Sequence, residues 1–407
     1  MRLAFRSDDV RAFEEPLLAA GEPLMERAAA AVAHTVTEEL RSRGHRVTGA
    51  QILVLAGPGN NGGDGLFAGA YLARRGAQVD AVTVGEVHAK AQEAAVSAGV
   101  RLHELGADPA VWTELPALAA NGGVWIDALT GIGQRGPLRD PIASLVERLV
   151  EERQASPAEP IVIAVDVPSG IIADDGGVPG PALEADVTVT MGVAKPGLLL
   201  PPARHKAGRL VEVDLGLQLS HAPAVAELGA ADVADLLQVP GVSHNKYSRG
   251  VTLLATGSDT YPGAATLSVG GAMGAGAGMV RLMSTRRASD LALHVYPEVV
   301  CQDGRAQSFV LGSGVPTVDL DHIRAYLDRA LEDNLPAVLD AGALELLHDD
   351  YEDLPTTVIL TPHAGELAAL LGARGEDVRA RDIDAAPAKY ARLAAALTGA
   401  TVLLKGS

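Results

Sequence analysis

Three glycine-rich stretches in the first half of the chain each put an acid or a hard oxygen donor where an apolar run ends. Gly57-Pro58-Gly59-Asn60-Asn61-Gly62-Gly63-Asp64-Gly65 follows QILVLA (51–56). Its first six residues satisfy G-x-G-x-x-G, the spacing with which a strand-to-helix turn cradles phosphate on free backbone amides. A dinucleotide dehydrogenase would add an acid at the end of the next strand, about 20 residues on, to hold a ribose. Glu86 falls slightly beyond that strand. Asp64, in the first helical turn, would repel a pyrophosphate unless a cation intervened. A glycine turn with Asp64 as helix cap accounts for the stretch without any ligand. Two further loops shift the balance. VWIDALTGIGQRG (124–136) sets Asp127 at a strand end, and IAVDVPSG (163–170) sets Asp166 and Ser169 at another. Asn61, Asp127 and Ser169 could bring three oxygen ligands to one sheet edge, as a cation site requires. One such loop is turn chemistry; three in register point to a site.

The elements that must hold these loops alternate. Apolar residues recur at three and four from Pro23 to Arg43, a helix. Strand-like runs follow at 51–56, 78–84, 124–129 and 161–167, with helical stretches at 64–75 and near 140–152. Short runs apolar on both faces, separated by helices, predict a parallel, doubly wound sheet. After VEVDLGLQL (211–219) the pattern lapses and then restarts, with strand-like runs at 251–256, 278–283, 308–314, 337–342, 357–362 and 401–406. The expected organisation is a first domain over 1–219, a linker at 220–225 and a second domain over 226–407. Both are α/β, and the first is Rossmann-like. With 407 residues, 48% apolar and a net charge of −18, the chain can bury a core in each domain, and its acidity excludes a phosphate-tracking nucleic-acid binder. The single cysteine, Cys301, excludes an intrachain disulfide framework and reads as an inert core thiol. There is no secretory signal and no run near the roughly 18 apolar residues of a membrane helix, so a cytoplasmic protein is expected.

GNNGGDG (59–65), DALTGIGQRG (127–136) and DVPSG (166–170) resemble the signature loops of the NAD(P)H-hydrate epimerase family over roughly residues 10–217. The resemblance implies that Asn60, Asn61, Gly62, Gly63 and Asp64 contact the phosphate of a hydrated dinucleotide. It also implies that Asn61, Asp127 and Ser169 bind potassium. Gly131, Ile132, Gly133, Gln134, Arg135, Gly136 and Pro137, with Asp166, would hold the substrate. The implied reaction interconverts the R and S epimers at C6 of hydrated NADH or NADPH. That chemistry needs a group to move a proton near the hydrated carbon and a fixed charge to steady the intermediate. Asp166 is assigned the proton; Asp127 is the alternative, set second because a cation ligand must stay ionised.

In the second half, HNKYSRG (244–250), GSDTYPGAA (257–265) and TPHAGE (361–366) resemble the ADP-dependent NAD(P)H-hydrate dehydratase family, whose fold is ribokinase-like. Residues 261–264 open a helix after a strand, with amides free for an anion. By resemblance, Ala264, Gly314 and His363 contact hydrated nucleotide, and Lys405, Gly406 and Ser407 begin an adenine-nucleotide loop taking ADP with magnesium. The family usually reads DADAL where this chain has Asp340-Ala341-Gly342-Ala343-Leu344, so an acid is missing at 342. The sequence stops at Ser407, ahead of the family's GTGD element, so the expectation is a ribokinase-like domain incomplete at its C-terminus, epimerase activity and little dehydratase activity.

The expected partners are thus hydrated NADH or NADPH and ADP, with neither nucleic acid nor membrane, and self-association left open. The leading reading is a bifunctional repair enzyme for damaged nicotinamide cofactors. A Rossmann-type oxidoreductase is set against it by the missing ribose acid and by Asp64. A non-catalytic nucleotide-binding protein is set against it, for the first half, by the intact aspartates.

Overall fold

A computed structural model describes residues 1–106, 110–156, 159–237, 239–241, 245–318, 320–348 and 351–406. It contains two compact units, Met1–Ala234 and Asp235–Ser407.

The first unit opens with β1 (Arg2–Ala4), α1 (Ser7–Ala19) and α2 (Leu24–Ser42), the last spaced by apolar residues at three and four as its sequence demands. The alternation follows: β2 (Gln51–Ala56), α3 (Asn60–Arg74), β3 (Gln78–Val84), α4 (Ala89–Ser97), β4 (Arg101–Leu105), α5 (Ala110–Asn121), β5 (Val124–Ala128), α6 (Ile142–Ala155) and β6 (Ile161–Val165). β7 (Val187–Met191) and β8 (Arg209–Val213) complete a seven-stranded parallel sheet in the order β4-β3-β2-β5-β6-β7-β8. Its central strands are buried along their whole length, which explains why they read as continuous apolar runs rather than alternating ones. α2 and α3 pack with one face into a core that includes Val32, Val36, Leu66 and Leu72; Trp125, Leu115 and Leu149 fill the other.

β9 (Val225–Glu227) pairs antiparallel with β1, Arg2 opposite Glu227, and α7 (Ala230–Leu236) follows. Residues 225–227 are therefore bound to the first unit by backbone pairing, and the division falls later than the 220–225 linker read from the sequence. Periodicity cannot report a three-residue strand whose partner lies at the far end of the unit.

The second unit runs β10 (Val251–Ala255), α8 (Pro262–Gly274), β11 (Met279–Met283), α9 (Arg286–Val295), β12 (Ser308–Leu311), α10 (Asp321–Glu332), β13 (Ala337–Leu339), β14 (Val358–Leu360), α11 (Ala364–Ala373), α12 (Ala380–Ala385), α13 (Pro387–Thr398) and β15 (Thr401–Val402). Its six strands form a second parallel sheet, ordered β11-β10-β12-β13-β14-β15. Cys301, expected in the core, is exposed. It directly follows Val300, whose single bridge to Arg281 ends the pairing there.

In both units the strands deliver their carboxyl ends to one edge. In the first, the backbones of the loops after β2 and β5 close on one another there. A Cβ at Gly57 would lie 1.8 Å from the Leu129 carbonyl oxygen, and one at Gly62 would lie 1.9 Å from the Gly57 carbonyl oxygen. Gly57→Ala should accordingly destabilise the first unit by about 2 kcal/mol or more, as overpacking against backbone does. Both tryptophans, Trp112 and Trp125, lie in this unit. The expected reading is a lower urea midpoint by tryptophan fluorescence, and an unchanged midpoint would refute the contact.

Candidate functional sites at the carboxyl edges

The sequence places the helix after β2 from Asp64 onward, but α3 begins at Asn60. The glycines thus form its first turn, and Asp64 is an interior helical residue, buried, rather than a cap. A cleft of about 980 Å³ opens here, lined by Asn60, Asn61, Asp64, Gly131, Ile132, Gly133 and Asp166 among others. Gly62 and Gly63 lie behind the wall, where Gly63 faces His88 and Met25. Gln134 to Pro137 are not in the lining. The Gln134 amide donates to the Gly136 carbonyl at 3.0 Å, and Arg135 pairs with Asp174 and, at 3.4 Å, Asp8.

Asn61, Asp127 and Ser169 come together through Thr130. Asn61 Nδ2 donates to the Thr130 carbonyl at 2.7 Å, and the Thr130 amide donates to Ser169 Oγ at 3.1 Å. Ser169 donates from Oγ to Asp127 Oδ1 at 2.6 Å and from its amide to Oδ2 at 2.8 Å. Asp127 is wholly buried, and among the described residues no basic side chain forms an ion pair with it. Burial pushes its carboxyl up to about 6, against the opposing pull of Ser169 and the Leu129 amide. Thr130 Oγ1, also buried, has no hydrogen-bond partner. A buried carboxylate with unspent hard oxygens beside it suits a cation. No trio of His, Cys, Asp or Glu that could hold a metal occurs among the described residues.

Asp166 faces the cleft from the end of β6, with a left-handed backbone, φ +66°. Residues other than glycine, asparagine and aspartate seldom adopt it, and such positions cluster at functional sites. Its Oδ1 accepts from the Met191 amide at 3.0 Å and from the Lys195 ammonium. Lys195 is fully buried; its Nζ also donates to Thr190 Oγ1 at 3.0 Å and to the Met191 carbonyl at 2.9 Å. The sequence reading missed this residue. The available signal was a lone lysine in VTVTMGVAKPGLLLPP (187–202), an otherwise uncharged run beginning on a strand. It missed α1 as well, which contributes Asp8, Arg11, Glu14 and Glu15 to the cleft wall. Burial raises the Glu14 carboxyl, with Lys195 opposing. Burial raises the Asp64 carboxyl much further, and the charges of Asp166, Glu14 and Glu26 add to the effect.

In the second unit, Ala264 stands in the first turn of α8 against the turn after β12: a Cβ at Gly314 would lie 2.4 Å from the Ala264 Cβ. His363 ends the segment after β14 and caps α11, its Nδ1 accepting from the amides of Gly365 (3.0 Å) and Glu366 (3.2 Å). Lys405 Nζ donates to Asp340 Oδ1 at 2.7 Å, and Arg249, Ser313, Asp340, Thr361 and Lys405 line a cleft of about 610 Å³. Burial opposes ionisation of Asp340, but Lys405, Thr361 and Ser313 outweigh it and hold the carboxyl below its ordinary value. The acid absent at 342 has no room: a Cβ there would stand 2.3 Å from the Val315 carbonyl oxygen. Gly406 is exposed, and His244 and Ser407 lie outside the described residues.

Two α/β units, each gathering charged side chains and glycine turns at the carboxyl edge of a parallel sheet, define a protein that handles nucleotides in two places. The comparisons with known proteins agree. Residues 21–197 match the family model for YjeF-related protein N-terminus, and residues 252–407 match that for NAD(P)H-hydrate dehydratase. A bifunctional NAD(P)H-hydrate repair enzyme of Mycobacterium tuberculosis is 41% identical, the alignment covering all of this chain and 81% of that protein. An NAD(P)H-hydrate epimerase of Clavibacter sepedonicus is 42% identical over 54% of this chain and 94% of its own length. Among solved structures, an ADP/ATP-dependent NAD(P)H-hydrate dehydratase from Bacillus subtilis, co-crystallized with ATP and Mg2+, is 28% identical, covers 43% of this chain and 65% of its own, and has a TM-score of 0.37. The chain belongs to the family of bifunctional NAD(P)H-hydrate repair enzymes.

Lys195→Met should lower the stability of the first unit by about 3 kcal/mol, the low end for breaking a buried pair, since Asp166 keeps some access to the cleft. Tryptophan fluorescence in urea measures it. Adding Asp166→Asn to Lys195→Met should cost less than the two single changes summed, and strict additivity would count against the pair.

Proposed function

We propose that the first unit interconverts the R and S hydrates of NADH and NADPH by inversion at C6, and that the second is the ADP-dependent dehydratase of the S epimer. Together they return damaged nicotinamide cofactor to use. The observation that carries the first assignment is Asp166: a carboxylate held in a strained backbone by a buried lysine, with its outer edge in the cleft. Asp166 is the proton-handling residue. Asp127, the alternative, is sealed behind it and belongs to the cation set. Residues 60–64, at the start of α3, take the substrate's phosphate through the amides of Asn60 and Asn61, which line the cleft; the Gly63 amide is already bonded to the Gly59 carbonyl at 3.3 Å. Residues 131–133 wall the nicotinamide end, and residues 134–137 act through the loop they stiffen.

The donor set of Asn61, Asp127 and Ser169, with the unspent Thr130 hydroxyl, fits potassium. Bound there, the ion supplies a fixed positive charge next to the phosphate site.

In the second unit, Ala264, Gly314 and His363 contact hydrated nucleotide, and Lys405, Gly406 and Ser407 take ADP. Magnesium would arrive with the nucleotide phosphates and need only one or two carboxylates; Asp340 and Glu366, both within reach of Lys405, are the carboxylates at that edge.

Asp166→Asn should abolish epimerisation, a loss on the order of 10²–10⁴-fold, while nucleotide binding stays within a few fold. Chromatographic separation of the two epimers decides it, and full activity in the variant would remove Asp166 from the chemistry. Exchanging potassium for tetramethylammonium should weaken substrate binding. Asp127→Ala should make binding indifferent to that exchange; a variant as potassium-dependent as the parent would place the ion elsewhere.

A further inference from the structure

The epimerase cleft holds a second carboxyl that the reading above leaves without chemistry. Asp64 lines the cleft at 8% exposure, and its Oδ1 is buried with no hydrogen-bond partner. A buried, unpartnered carboxyl oxygen costs free energy unless something outside the protein completes it. The groups around it are of the wrong sign to keep it charged. Asp166 and Glu14 stand across the cleft, Glu26 lies on α2, and Gly63 beside it packs on the His88 side chain. The buried cation, Lys195, is committed to Asp166, Thr190 and the Met191 carbonyl. Glu14 differs, because it is half-buried on α1 with Lys195 and Arg11 opposing its shift. Of the carboxyls lining the cleft, Asp64 and Asp166 are the buried ones; one given a counter-charge and the other denied it is the arrangement that separates a base from an acid.

We propose that Asp64 is the proton donor of the epimerisation, giving its carboxylic proton to the hydroxyl that leaves C6, while Asp166 takes a proton from the water that replaces it. The assignment rests on the epimerase reading and adds the residue which that reading lacks. Inversion at C6 requires a bond to C6 to break and re-form. As the C6–O bond breaks, its electron pair leaves with oxygen, and the Asp64 proton completes a water molecule. The N1 lone pair forms N1=C6. Water then adds to the opposite face, the N1=C6 pair returns to nitrogen, and Asp166 removes the extra proton. The net change is one proton moved from Asp64 to Asp166. Turnover in the opposite direction returns it, as does exchange with solvent through the open cleft. No oxidant or second substrate is needed. The neutral acid also removes the repulsion that an aspartate here would otherwise exert on a phosphate at the start of α3.

The test uses the full chain and purified epimers, with the uncatalysed rate subtracted. Asp64→Asn keeps the shape and a polar hydrogen but has no proton to give. Its kcat should fall about 10²–10⁴-fold, the usual worth of such a group, with KM within a few fold. The alkaline fall in the wild-type kcat profile should be absent from the variant. A raised KM with unchanged kcat would overturn the proposal, since that is the signature of a phosphate contact. A second measurement needs no variant: epimerisation by the wild type in ¹⁸O-water should label C6 at the rate of inversion, and inversion without label would exclude the bond broken here. Asp166→Asn serves as the control on the parent reading. If that variant is active while Asp64→Asn is not, the base is misassigned and the donor stands; if both are fully active, the cleft is not the epimerase site.

Discussion

Burying the Lys195 ammonium is the constraint around which the first unit is arranged. Taking such a charge out of water costs several kcal/mol unless nearby acceptors replace the hydration. Three do so: Asp166 Oδ1, the Thr190 hydroxyl and the Met191 carbonyl. They come from the ends of β6 and β7, which are neighbours in the sheet, and the lysine itself stands on the loop that follows β7. The order of the strands is therefore what satisfies the charge. The same loop is fastened from outside, because the Phe5 amide donates to the Ala194 carbonyl at 3.0 Å, leading directly into α1 over the cleft.

Around that fixed point the unit distributes its acids by environment. Asp127 is sealed beneath the edge with hydroxyl and amide donors, Asp166 is paired, and Asp64 is buried and unpaired. Three chemically identical side chains on one sheet edge thus acquire three electrostatic characters from burial and partners alone. The second unit solves its edge differently. There Lys405 reaches Asp340 and Glu366 in a partly exposed network, which leaves all three accessible to a charged ligand that can compete for them.

Much of this was legible in the residues. The short continuous apolar runs of β2, β5 and β6 read as strands covered on both faces, and each ends in a loop with an oxygen donor, so the convergence of Asn61, Asp127 and Ser169 was visible as a pattern. The start of α3 was not, since four consecutive small or polar residues, Asn60 to Gly63, have poor helix propensity. The turn that leads into them is pinned where Gly57 lies against the Leu129 carbonyl, a tertiary contact no local rule contains. Lys195 was invisible for a related reason: its role depends on a carboxylate twenty-nine positions earlier that only the sheet brings near. β1 and β9, joined from opposite ends of the unit, escaped for want of any local signal.

The left-handed backbone at Asp166 limits what can stand there over evolutionary time. Lengthening the carboxylate to glutamate would move the charge and demand a conformation that longer side chains resist. The residues that tolerate the backbone best, glycine and asparagine, carry no titratable group. A lineage losing this aspartate thus has replacements that suit the backbone, but each leaves the buried Lys195 ammonium without its counter-charge. Decay at this position should therefore be followed by loss of the lysine as well, so that the two residues disappear from a lineage as a pair.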